Sequence, residues 1–159
     1  MFTFSDFNLW LHILSAVTWV GAILYTWLVL IPGLNGFLPG EEAVFRTLQV
    51  EKGFRKIAHL VIAFITITGI VNLMNPLSIE KFKTSPSFGM LVTLKVVLLG
   101  VMILLHLLRQ GFYGRRIAAL SQDQKVSAEA MAYWRKSKSL LVWQAAVGIS
   151  LIFIGVNLR

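Results

Sequence analysis

Hydrophobic positions along this chain gather into four long runs, over residues 8–31, 57–74, 88–108 and 139–158. Each has about the 17–25 residues that a helix needs to cross roughly 30 Å of hydrocarbon. No segment alternates polar and apolar with a period of two, which argues against strands. Backbone groups in lipid must find partners within their own segment, so the pattern predicts an all-α integral membrane four-helix bundle. The whole of 1–159 reads as one transmembrane domain. The leading "MFTFSDFN" carries an aspartate and no lysine or arginine. Together with the length of the run that follows, this predicts a retained first span rather than a cleaved signal.

Breaker residues predict the connections. "PGLNGFLPGEE", from Pro32 to Glu42, holds two prolines and three glycines and is expected to end the first helix, with a new one starting near Glu41. "NPLSIEKFKTSPSFG" is expected to be a compact loop bracketed by Pro76 and Pro86. "SAEAMAYWRKSKSLL" has helical periodicity and should feed into the fourth span, with Ser127 as its cap and Glu129 in the first turn. Tyr113, Tyr133 and Trp134 fall where interfacial rings anchor a span. Gly69, Gly100, Gly148 and Gly155 would allow close approach of helices or of a flat ligand.

Composition supports the class: 57% of residues are hydrophobic and 14% charged, too little charge to cover a soluble domain. The net charge of +8 is distributed asymmetrically. Arg46, Lys52, Arg55 and Lys56 lie between the first two spans, and Arg109, Arg115, Arg116, Lys125, Arg135, Lys136 and Lys138 between the last two. Only Lys81, Lys83 and Arg159 lie on the other side. The positive-inside bias predicts cytoplasmic basic loops with both termini outside, in a bacterial plasma membrane. Basic loops of this kind contact lipid headgroups, so the partner expected is the bilayer and not nucleic acid. The absence of cysteine excludes thiolate metal sites and thiol redox chemistry.

The ionisable groups inside the spans are the candidate chemistry, because a buried charge in lipid usually faces the bundle and a partner. They are His12, His59, Lys95 and His106. His59 follows Lys56 by three residues and His106 precedes Arg109 by three, so both imidazoles are expected about 5 Å inside the cytoplasmic boundary. His12 is expected on the order of 20 Å away along the membrane normal. Lys95 shares a helix face with His106 and reaches toward the depth of His12.

Two level imidazoles from neighbouring helices suit the axial positions of a haem iron, of the non-covalent b type since no cysteine is present. In that reading His59 and His106 are axial ligands, Arg55 and Arg109 meet the propionates, and Met102 packs on the ring. His12 and Lys95 form an outer site for a second haem, a quinol or a proton. The function expected is electron transfer with a quinol, in a homo-oligomer or beside partner subunits. The alternative is copper passage using His12, Met102 and the inner histidines. Soft Cu(I) prefers thiolate and thioether ligands, so the lack of cysteine ranks copper second. A third alternative is a structural subunit whose histidines only link helices.

Three spans resemble a known group. "LHILSAVTWVGAILY", with Leu11, His12, Trp19 and Gly21, resembles the first span of CopD-like copper-resistance proteins and HemJ-type protoporphyrinogen oxidases. "GFRKIAHLVIAFITITGIVN" is similar to the group's arginine-led helix with a Thr-Gly step, here Arg55, Thr68 and Gly69. "LKVVLLG" with the histidine after it resembles the lysine–histidine helix, here Lys95 and His106. The resemblance implies either copper handling or haem b binding with protoporphyrinogen oxidation. In the latter case His12 and Lys95 belong to the functional set.

Overall fold

A computed structural model describes residues 3–122 and 125–157; Leu158, the end of the fourth expected span, and Arg159 lie outside the described residues. The chain is helical almost throughout. Helices α1 (Phe4–Phe37), α2 (Gly40–Leu73), α4 (Pro86–Ala119) and α5 (Ala128–Val156) are all long and apolar enough to span a membrane. A short α3 (Pro76–Thr84) joins α2 to α4. A two-residue hairpin, Ser121–Gln122 against Lys125–Val126, precedes α5.

Local chemistry explains most helix starts. Thr3 and Asp6 cap α1 reciprocally. The Ser127 side chain accepts from the Ala130 N–H at 3.1 Å, so it caps α5 as expected. The segment expected to be a loop, 75–89, holds α3 instead. Asn75 accepts from the Leu77 N–H with Pro76 at the first turn, and Ser85 does the same for α4 through Phe88.

The first helix also runs on beyond its expected end, through Pro32 to Phe37. Over Thr26–Leu30 the backbone bonding widens, with the Ile31 N–H reaching the Thr26 carbonyl. A π-type turn accommodates the missing proline donor, and Gly33 and Gly36 continue the helix without steric conflict. A second such turn spans Leu107–Tyr113, directly after His106.

Helices of 34 residues are about 50 Å long, so they project well beyond a hydrocarbon slab of roughly 30 Å. The two ends of the bundle are built differently. At the end bearing the basic loops, Ala43, Val44, Ile117, Val126, Ala130 and Trp134 make a closed apolar core like that of a soluble protein. Trp134 therefore lies in this core and is not an interfacial anchor, whereas Tyr113 and Tyr133 pack with Phe112 in an aromatic cluster. Along the spans the polarity is inverted: Leu60, Ile67, Val97, Leu104 and Phe153 face outward as a lipid-facing belt.

In the middle of the bundle α1 packs along α2, α4 along α5, and α1 also meets α5. Gly148 makes the closest of these approaches, since a Cβ there would stand 3.0 Å from Val20 and 3.2 Å from Met102. Gly69 and Gly155 likewise face side chains of neighbouring helices, whereas Gly100 faces open space. Gly148→Ala is expected to destabilise the bundle by about 1–3 kcal/mol through overpacking, measured as thermal unfolding in detergent. An unchanged melting temperature would show that α1, α4 and α5 are not in contact at this point.

Candidate functional site: two polar levels in the bundle

The ionisable groups occupy two levels, as the helical rise predicts. Thr68 organises the level away from the basic loops. Its hydroxyl donates to the Phe64 carbonyl at 2.5 Å and lies 2.9 Å from His12 Nδ1. A hydroxyl has one proton, so His12 Nδ1–H must be the donor to Thr68, which leaves its Nε2 with a free lone pair. Gly69 provides the space, because a Cβ there would be 3.3 Å from His12 Cε1. The Thr-Gly step thus has a physical role: the hydroxyl orients the imidazole and the glycine lets it lie on α2.

Asn8 completes this level, donating to the Thr68 carbonyl at 3.1 Å and to Asn72 Oδ1 at 2.8 Å. Lys95 reaches α5, where its Nζ lies over Gly155. At this level α1 and α2 are joined through Asn8, His12 and Thr68, and α4 meets α5 through Lys95 and Gly155. Asn8, Thr68 and Asn72 were not anticipated as site residues. Polar residues at the end of an apolar run look like ordinary boundary residues until the facing helix is known.

At the other level His59 and His106 meet with ring centroids 5.8 Å apart and planes at 80°. The Trp19 ring lies on His106 from α1, 6.0 Å away and also edge to face. His106 is buried, and its Nε2 has no hydrogen-bond partner. His59 is exposed, on the side where α2 faces α4. Met102, one turn from His106 on α4, is fully buried. Counted along α2 from His59 to Thr68, the two levels are about 14 Å apart, less than the span-end estimate because His12 reaches inward to Thr68.

Toward the basic loops Arg109 pairs with Glu51, and Gln110 donates to the same carboxylate at 3.2 Å. Both charged partners are buried. Arg109 is thus committed to a protein carboxylate, and the π-type turn after His106 carries it there. Arg55 differs: its Nη2 lies near Gly114, its Nε is buried without a partner, and among the described residues no carboxylate pairs with it. Glu51 was missed in the sequence although a signal was present, a lone acid among Lys52, Arg55 and Lys56. Gln144 was missed too; it is the one polar side chain in its stretch of α5 and is fully buried.

Among the described residues no three His, Asp or Glu side chains gather as a metal cluster, so any ion at the His59–His106 level would rest on the imidazole pair and non-acidic donors. Trp19, whose ring lies against His106, is buried, as are Met102 and Leu141 on α4 and α5.

A helical membrane protein with paired imidazoles at one level and a histidine–lysine pair at another is the class that fold and site define. The family profile described as Copper resistance protein D (CopD) matches residues 48–158, and the chain belongs to that family. The matched part holds His59, Lys95, His106 and Gln144 and begins after His12. No curated protein and no solved structure gives a match.

Proposed function

We propose that this protein handles copper within the membrane, with His59 and His106 as the inner station for the ion and Met102 as a soft donor one turn away. The observation that carries the reading is the buried, unpartnered Nε2 of His106 beside the His59 ring, in a chain of the CopD family. Imidazole suits copper, and a thioether suits its reduced form. The preference drawn from the lack of cysteine is reversed on this basis. An ion crossing the bundle would meet the free Nε2 lone pair of His12 at the other level. The basic loops support a cytoplasmic location for the His59–His106 end, with both termini outside a bacterial plasma membrane.

Arg55 supports a second reading, haem b. A guanidinium without a carboxylate, one turn from His59, is suited to a propionate and adds unfavourable charge beside a bare cation. In that reading bound haem would supply one-electron chemistry, His59 and His106 would hold it, and a quinol or partner subunit would exchange electrons with it. Metal analysis separates the two. Protein purified from cells supplied with both copper and haem is expected to carry copper without iron. Iron, with a split α-band on reduction, would overturn the copper reading in favour of haem.

A further inference from the structure

Gln144 presents an imbalance that the inner histidine pair does not resolve. Its side chain is fully enclosed, and neither Oε1 nor Nε2 has a partner. A buried carboxamide unmatched at both ends is costly and uncommon. Trp19 Nε1 and His106 Nε2 are also buried without partners, as are Arg55 Nε and Arg109 Nε toward the basic loops. Gly148 faces Val20 and Met102. One turn along each helix from that contact, Gln144 on α5 comes level with His106 on α4. Trp19, beside Val20 on α1, already has its ring against His106. Three helices thus bring three unmatched groups to one height.

Their chemistry narrows what can satisfy them. An indole N–H only donates, while a carboxamide both donates and accepts. A bare cation would satisfy Gln144 Oε1 and repel the indole proton. An oxygen that carries hydrogen satisfies both, accepting from Trp19 and donating to Gln144. Met102 and Leu141, on the same two helices as His106 and Gln144, are both fully buried, and one water is the smallest occupant that meets both requirements.

We propose that Trp19, Gln144 and His106 form a socket for a water molecule carried by the ion at the His59–His106 station, so that copper is held there with an aqua ligand. The inference rests on the copper reading and deepens it, since an oxygen ligand beside two imidazoles suits the oxidised ion, Cu(II). Gln144 is then a positioning residue that acts through the water.

The test uses the full chain in detergent, loaded with Cu(II) in D2O and read by pulsed electron paramagnetic resonance. Wild-type protein is expected to show strongly coupled exchangeable deuterons together with imidazole nitrogens. Gln144→Leu should keep the nitrogens, lose those deuterons and bind copper about tenfold more weakly, the equivalent of one hydrogen bond to a charged centre. Trp19→Phe should act in the same direction. Without metal, Gln144→Leu should melt no lower than wild type, because it removes an unmatched amide. Imidazole nitrogens without exchangeable deuterons in wild type would overturn the socket and leave the copper reading standing. No copper–imidazole signal would overturn both. A metal-free Gln144→Leu protein that melts several degrees lower would show that Gln144 is already matched by its neighbours, and would also overturn the socket.

Discussion

Glu51→Ala is expected to destabilise the detergent-solubilised protein by about 3–5 kcal/mol, because it leaves the buried Arg109 guanidinium without its carboxylate. Gln110 loses its acceptor in the same change. The cost comes from an uncompensated charge and not from the strength of the pair, and a second variant tests that distinction. Glu51→Leu with Arg109→Met removes both charges and should recover most of the loss. Because Arg109 lies on the π-type turn that follows His106, the single variant should also disturb the imidazole station, whereas Gly148→Ala acts a turn further into the bundle. Denaturant unfolding provides the measurement. If Glu51→Ala falls within about 1 kcal/mol of wild type, as exposed ion pairs do, then water reaches Arg109 and the pair is not buried.

His106→Ala should have the largest effect on metal binding. Outer partners of a metal ligand typically contribute roughly 10–100-fold to affinity, so loss of one of two imidazoles should exceed that range. His59→Ala should be comparable in affinity but mild in stability, because His59 is exposed and His106 is buried. Met102→Leu conserves volume and removes only the thioether, so it reports the soft donor separately. Binding isotherms of Cu(I) and Cu(II) on the purified variants measure all three. Wild-type affinity in His106→Ala would remove the inner station from consideration, and the His12–Lys95 level would then be the place to look for the ion.

The His12 level illustrates how a residue pattern acquires meaning from its surroundings. Taken alone, Thr68-Gly69 is a small-residue step of the kind that packs helices. In the bundle the hydroxyl sets the tautomer of His12 and the glycine makes room for its ring. Lys95 and His106 behave in the way their spacing implies, one on each level of a single helix face. The opposite happened with the prolines. Pro32 and Pro86 look equivalent in the sequence, yet the helix runs through the first and starts at the second. A π-type turn absorbs the missing donor in one case, and a serine cap restarts the helix in the other.

Hydropathy and the constant rise of a helix were enough to establish four spans, their order, the basic-loop asymmetry and the two heights of the histidines, because each of these depends only on distance along one helix. Which way each helix is turned about its own axis is a different kind of quantity. It is settled by packing against neighbours remote in the chain, and it assigned Arg109 to Glu51, His12 to Thr68 and the fully enclosed Gln144 to the level of His106. A rotation of one residue's angle would leave every hydrophobic run intact and dissolve all three arrangements, so no reading of one strand of sequence could have reached them.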